Sequence, residues 1–121
     1  MATYVDGFVL SVPKEKKAVY KKIAKEAALV WKKFGALEYK ECRANDMSPK
    51  HVVMTFPKMA KTKENEEVWF SFIVFKSRAE RNAINKKVMA YFDEKYAGTD
   101  MPMPFDMKRF AYGGFTTEVE A

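Results

Sequence analysis

The alternation of apolar and polar positions along this chain predicts four main strands. Segments rich in β-branched and aromatic residues, bounded by turn residues, predict strands at 3–12, 36–43, 68–75 and 107–117. HVVMTF, at 51–56, predicts a further short strand or a strand extension. The segments on either side of it, ANDMSPK and PKMAKTKENEE, are typical of a turn and a loop.

Apolar residues that recur at intervals of three or four predict two long helices. The first follows Pro13, whose fixed φ suits a first helical turn, and ends at Gly35, which readily takes the left-handed conformation of a helix terminus. The second begins at Ser77, which forms an S-x-x-E capping box with Glu80, and ends before Gly98. The apolar face of the first helix is expected to hold Val19, Ile23, Ala27, Val30 and Phe34.

This order of elements, β-α-β-β-α-β, is that of the split βαβ or ferredoxin-like arrangement. We therefore expect an α+β fold in which one antiparallel sheet carries two helices on one face. The fourth strand is expected to lie beside the first. Because 121 residues are near the usual size of one domain, residues 1–121 are interpreted as a single ferredoxin-like domain.

Both faces of the predicted sheet are apolar, and this predicts a homodimer. In VWFSFIVF (68–75) the even-numbered residues share one face and the odd-numbered residues the other, and all except Ser71 are apolar. Two helices cover only one face, and each large apolar side chain left in water forfeits roughly 1.5–3 kcal/mol. A second copy packed sheet on sheet would cover the other face, so we expect a dimeric α+β barrel.

Four segments of the chain together carry a resemblance to a known family. They are YVDGFV near the start, Glu41-Cys42 leading into Asn45-Asp46, VWFSF, and PFDMKRFAYGGF near the end. In these residues the chain resembles the YbaA-like family of small bacterial proteins of unknown function, over essentially its whole length. The resemblance implies a dimeric α+β-barrel fold. It implies no catalytic residues, because none are established for the family.

Composition favours a cytoplasmic protein. Hydrophobic residues make up 48% and charged residues 31% of the chain, as is typical of globular proteins. The sequence contains no apolar run near the roughly 20 residues of a membrane-spanning helix. Its first residues lack the pattern of a signal peptide. The single cysteine, Cys42, excludes an internal disulfide and fits a reducing compartment.

The net charge of +6 is concentrated in the predicted first helix. Residues 14–34 hold eight lysines and two glutamates, and the rest of the chain is balanced. One interpretation is a solvated helix face that maintains solubility. The other is an anion-binding surface, nucleic acid included, although the segment has no arginine for base recognition. The lysines that fall close to one stripe are Lys14, Lys17, Lys21, Lys25 and Lys32.

Glycines on the first and last strands predict an open space in the sheet. Since these strands are expected to be neighbours, Gly7 should lie near Gly113 or Gly114. Facing glycines leave room for an aromatic ring, a bulge or the close approach of a ligand. The rings available to fill this room are those of Phe8, Tyr112 and Phe115.

The polar residues around this space are candidates for a ligand pocket: Asp6, Lys108, Arg109 and Tyr112. One interpretation is structural, with Asp6 in a cross-strand ion pair with Lys108 or Arg109. The other is a group of polar side chains at the entrance of an apolar cavity, where they would orient an anionic or phenolic ligand. The sequence favours the structural interpretation and keeps the ligand pocket as the alternative.

Candidate chemistry is otherwise sparse. The single histidine, His51, and the single cysteine cannot form the usual zinc sets, and no phosphate-binding glycine motif is present, so no metal or cofactor is expected. We expect small-molecule binding, or a cofactor-free enzyme reaction in which Tyr112, Lys108 and Asp6 polarise the substrate. The alternative is a binding module for an anionic macromolecule, such as RNA, that uses the lysine-rich helix.

Overall fold

The structure, a computed structural model that describes residues 2–99 and 102–121, is built on a four-stranded antiparallel sheet. Its strands lie in the order β2-β3-β1-β4, so the fourth strand pairs with the first, as predicted. This topology confirms the ferredoxin-like α+β fold. The strands are β1 (Tyr4–Pro13), β2 (Glu38–Arg43), β3 (Glu66–Phe75) and β4 (Ala111–Thr116).

Two long helices connect the strands. Gly35, with φ of +118°, ends the first, and a side chain there would press on Ile84. Ser77 Oγ accepts a hydrogen bond from the Glu80 N–H at 3.1 Å and begins the second, so both predicted boundaries are confirmed. Within the described ranges no helix has the length and apolar character needed to cross a lipid bilayer. The helices are α1 (Lys17–Phe34), the single-turn α2 (Phe56–Met59) and α3 (Arg78–Lys95), and a 3-10 turn (Lys14–Lys16) precedes α1.

The long helices pack on one face of the sheet and bury its apolar side chains. The sheet contributes Leu10 and Val12 from β1 and Ile73 and Phe75 from β3. Burial of large apolar side chains, worth roughly 1.5–3 kcal/mol each, makes this layer the main source of stability. The helices contribute Tyr20, Ala24 and Val30 from α1, with Ile84 and Val88 from α3.

On the opposite face of the sheet, which we call the open face, the described residues place no helix over the exposed rings at its centre. Phe70 of β3 and Phe115 of β4 point to this side, with 43% and 62% of their surfaces exposed. The Phe115 ring lies over Gly7 and Gly113, which are directly paired, at 3.4 and 3.8 Å from where their Cβ atoms would lie. An aromatic ring therefore fills the predicted space between the facing glycines.

The short strand predicted at 51–56 is wrong. Residues 51–55 form turns and bends, and α2 begins at Phe56. Pro57 occupies the first turn of α2, where its missing N–H costs nothing, and Thr55 Oγ1 accepts the N–H of Lys58. Local capping thus decides the structure of this segment.

Two smaller predictions also need correction. Val19 is more than half exposed, because the buried face of α1 runs through Tyr20 and Ala24 instead. The last strand begins at Ala111 and not at 107, because Met107–Arg109 form a 3-10 turn capped by the side chain of Asp106. Lys108 and Arg109 therefore do not lie on a strand.

Candidate functional site

Two adjacent cavities lie between α1 and the sheet, and we call them the outer and the inner chamber. The outer chamber, about 680 Å³, is lined by basic side chains of α1 and by Trp69. The inner chamber, about 200 Å³, is mostly apolar, with Phe8, Ile23 and Trp31 in its wall. Three residues belong to the walls of both chambers, so the two meet there: Ala24, Tyr39 and Glu41.

Glu41 is held at this junction by two tyrosine hydroxyls. Tyr20 of α1 donates to Glu41 Oε1 and Tyr39 of β2 donates to Oε2, each at 2.7 Å. Tyr39 and Glu41 are two residues apart on β2, so both point to the helix-covered face. Ser71 is the cross-strand neighbour of Glu41, and its hydroxyl lies on the same face of the sheet. One carboxylate and three hydroxyls thus form a polar cluster, which we call the Glu41 cluster.

Burial controls the protonation of this cluster. Desolvation raises the pKa of Glu41 above its usual value, although hydrogen bonds from Tyr39 and Tyr20 act in the opposite direction. Burial, and then the negative charge of Glu41, also raise the pKa values of Tyr20 and Tyr39 well above the usual range. The tyrosines therefore remain protonated donors at neutral pH.

A half-buried carboxylate with a raised pKa is suited to proton transfer. The ideal pKa of a general base lies near the working pH, and burial shifts a glutamate in that direction. The tyrosine hydroxyls fix the orientation of Glu41 and stabilise its ionised form. Among the described residues, no group of three histidine, cysteine or carboxylate side chains is arranged to bind a metal ion.

The segment 102–110 forms one wall of the inner chamber, which we call the roof. Arg109 anchors it, donating from both terminal nitrogens to Glu66 at 2.6 and 2.8 Å and from Nε to Asp106 at 2.9 Å. Arg109 and Glu66 are largely enclosed, and the guanidinium lowers the pKa values of Glu66 and Asp106. The roof side chains that line the chamber are Met103, Phe105, Met107 and Phe110.

Of the four predicted pocket residues, the structure brings two together. Asp6 is only 1% exposed and accepts both of its contacts from Nε of Arg81, at 3.0 and 3.2 Å. Tyr112 is close enough to hydrogen-bond to Asp6, and its pKa is raised by burial and by that negative charge. The predicted ion pair of Asp6 with Lys108 or Arg109 is wrong, because α3 supplies the partner.

None of these four residues lines the inner or the outer chamber. Lys108 is exposed, and its backbone N–H bonds to Asp106 Oδ1 at 2.9 Å. Arg109 is occupied by the carboxylates of Glu66 and Asp106. The ion pair of Asp6 with Arg81 stabilises the packing of α3 on the sheet. The Arg81 guanidinium also stacks on the Tyr4 ring, with its Cζ 4.9 Å from the ring centroid.

The predicted lysine stripe divides in two. Lys17, Lys21 and Lys25 line the outer chamber together with Lys22. Lys14 lies on the preceding 3-10 turn, and Lys32 at the far end of α1 donates to the carbonyl of Leu37 at 2.8 Å. The basic character of the first helix is therefore directed in part towards a concave surface.

The Glu41 cluster was not predicted from the sequence. Alternation along β2 places Glu41 opposite Cys42, and hence on the helix-covered face, which is an unusual place for a carboxylate. The position of Glu41 on the helix-covered face therefore follows from its sequence once the sheet topology is known. The contribution of Tyr20 could not be found in this way, because it depends on the rotation of α1.

Comparison with known proteins gives consistent results. A family model described as a protein of unknown function (DUF1428) matches residues 3–107. The uncharacterised protein YbaA of Escherichia coli K12, and likewise that of Shigella flexneri, is 44% identical over 117 residues, which cover 97% of each chain. The crystal structure of a dimeric ferredoxin-like protein from an uncultured marine organism superposes with a TM-score of 0.59, at 12% identity and full coverage of both chains.

Proposed function

The chain belongs to the DUF1428 family, and we propose that it binds a small organic molecule in the inner and outer chambers, with Glu41 as hydrogen-bond and proton acceptor. The 44% identity to YbaA agrees with the resemblance noted in the sequence, and the relatives are uncharacterised, so the proposal rests on the site. The observation that carries it is the Glu41 carboxylate, held between two tyrosine hydroxyls where an apolar cavity meets a basic one.

The partial burial of Glu41 argues for a functional role. Placing a carboxylate in the helix-covered layer costs free energy, which its two tyrosine hydroxyl contacts only partly offset. A hydrophobic residue at this position would pack without that cost. Such a group is retained most readily when it does chemistry, here accepting a hydrogen bond or a proton from a ligand O–H, N–H or acidic C–H.

The test uses a fluorescent probe, N-phenyl-1-naphthylamine, which is neutral, largely apolar and carries one N–H donor. We expect the wild-type protein to bind it and Glu41→Gln to weaken binding about tenfold, the value of a charge-assisted hydrogen bond. Glu38→Gln is the matched control, because Glu38 lies on the same strand but faces away from the chambers. Ala27→Leu, which extends a side chain into the inner chamber, should abolish binding.

Two results would contradict the proposal. One is equal probe affinity in Glu41→Gln and Glu38→Gln, and the other is unchanged binding in Ala27→Leu. Circular dichroism of each variant verifies folding. Should Glu41→Gln not fold, Tyr39→Phe removes one hydroxyl of the same cluster and is expected to change probe affinity by a smaller factor.

We also propose that the protein is a homodimer joined through its open face. Support comes from the exposed rings of Phe70 and Phe115, since exposed apolar surface on a sheet face marks interaction sites, and from the dimeric ferredoxin-like protein of the same fold. α2 borders this face, because its exposed Met59 lines a surface groove together with Val9 of β1. The exposed thiol of Cys42 belongs to the same face and suits a reducing compartment such as the cytoplasm.

An RNA-binding role for the lysine-rich helix receives less support. Three of the five lysines in the predicted stripe line a cavity, and a cavity is a poor match for a phosphate backbone. Neutralisation of four phosphates would give a slope of about −3 to −4 in log affinity against log salt. Tight binding of an RNA oligonucleotide with that slope would replace the small-molecule proposal.

A further inference from the structure

We infer that the ligand is an amphiphilic anion, with an apolar body in the inner chamber and a carboxylate, sulfonate or phosphate in the outer chamber. This inference rests on the proposed small-molecule site and names its substrate class. The anionic group would lie among Lys17, Lys21 and Lys25, which border the outer chamber. The hydrogen-bond donor of the ligand would meet Glu41 at the junction of the two chambers.

The lysines of the outer chamber are available to a ligand. Within residues 2–99 and 102–121, Lys17, Lys21 and Lys25 form no ion pair with an acidic side chain. Two further cations line the chamber: Lys22, which likewise forms no ion pair among the described residues, and Arg43, which pairs with Glu67 at 3.1 Å. Like charges gathered around one concavity repel each other, and a bound anion would relieve that repulsion.

Trp69 forms part of the wall of the outer chamber, and its buried indole N–H has no hydrogen-bond partner among the described residues. Buried donors are rarely left unpaired in proteins. Because this N–H has almost no solvent-accessible surface, the lysines are the donors that an anion in the chamber would contact.

The inner chamber defines the other half of the ligand. Its wall combines aromatic rings of the sheet and α1 with the flexible side chains of Met103 and Met107 from the roof. Methionine side chains adapt to apolar groups of different shape. The chamber therefore suits an aryl or branched alkyl group more than a second charge.

The experiment compares two dyes that differ only in an anionic group. N-phenyl-1-naphthylamine is neutral, and 8-anilinonaphthalene-1-sulfonate is the same molecule with a sulfonate. We expect the sulfonate to bind more tightly, and Lys21→Gln/Lys25→Gln to weaken its binding about tenfold, with the neutral dye changed less than twofold. Lys86→Gln/Lys87→Gln on α3 is the matched control, since it removes the same charge from exposed positions outside the chambers.

The outcomes separate this inference from the proposed function. Equal affinity of the two dyes, or equal effects of the two lysine pairs, would overturn the anionic ligand while leaving the cavity proposal intact. Sulfonate binding that survives Ala27→Leu would place the anion on the surface and overturn the inference as well. Failure of both dyes to respond to Glu41→Gln would instead contradict the proposed function itself.

Discussion

Replacing Phe115 with alanine should dissociate the proposed dimer. Phe115 lies on β4 at the open face, with 62% of its surface exposed in the single chain. An aromatic side chain buries about 150–250 Å² when fully covered. The exposed part of Phe115 is therefore about 90–150 Å², which at about 25 cal/mol per Å² corresponds to about 2–4 kcal/mol.

A two-fold dimer contains this ring twice, and the loss is doubled. Phe115→Ala should weaken association by about 4–8 kcal/mol, which raises the dissociation constant by at least about 10³-fold. Sedimentation velocity from nanomolar to high micromolar protein concentration measures this directly. The wild-type protein should sediment as a dimer over most of that range, and the variant as a monomer.

Leu29→Ala is the matched control for this substitution. Leu29 is 66% exposed on α1, on the other side of the sheet, so its truncation should leave association unchanged. Because the Phe115 ring also covers Gly7 and Gly113, thermal melts at several concentrations separate folding from association. A wild-type monomer at micromolar concentration, or equal dissociation constants for both variants, would refute the argument.

Three further predictions test the interior of the chain. Burial raises the folded-state pKa of Glu41 above its unfolded value, so the stability that Glu41 contributes should be lost as pH rises from the ordinary carboxyl range through the raised pKa. The melting temperature of Glu41→Gln relative to that of the wild type should therefore increase with pH. A difference that stays constant with pH would argue against a buried charge at Glu41. Gly114→Ala should destabilise by about 1–3 kcal/mol in urea unfolding, because a Cβ there would clash with the Tyr4 hydroxyl and the Arg81 guanidinium. Gly113→Ala, with 3.8 Å to its nearest neighbour, should change stability little, and equal effects of the two substitutions would disprove the clash. Arg109→Lys keeps the positive charge but loses the paired contacts with Glu66 and Asp106. Amide hydrogen exchange should therefore accelerate at 103–110 while β1 stays protected. Unchanged exchange at 103–110 would show that Arg109 does not anchor the roof.

Much of the fold could be predicted because it depends on local signals. The period-two pattern of VWFSFIVF identified β3, and Ser77 and Gly35 fixed helix boundaries through capping that involves only nearby residues. The apolar character of both faces of β3 likewise predicted an open face. In each of these cases the residues that decide the structure are close together in the sequence.

Most of the candidate site could not be predicted because, apart from the contact of Glu41 with Tyr39 on the same strand, its contacts are distant in the sequence. Glu41 meets Tyr20 across 21 positions, and Asp6 meets Arg81 across 75. Which of several basic residues reaches Asp6 depends on how α3 lies over β1. A carboxylate on a strand gives no sign of its partner until that packing is known.

The two faces of β3 have different proposed roles, one in the dimer interface and one in the inner chamber, and this restricts insertions and deletions within the strand. Phe70 and Phe72 point to the open face, while Ser71 and Ile73 line the inner chamber. Inserting or deleting a single codon within β3 would exchange the two sets beyond that point, placing phenyl rings against Glu41 and a serine hydroxyl in the proposed dimer interface. Substitutions at any one of these positions affect one task, but changes of length affect both. During evolution, β3 should therefore vary in residue type while insertions and deletions accumulate in the connection between β2 and β3.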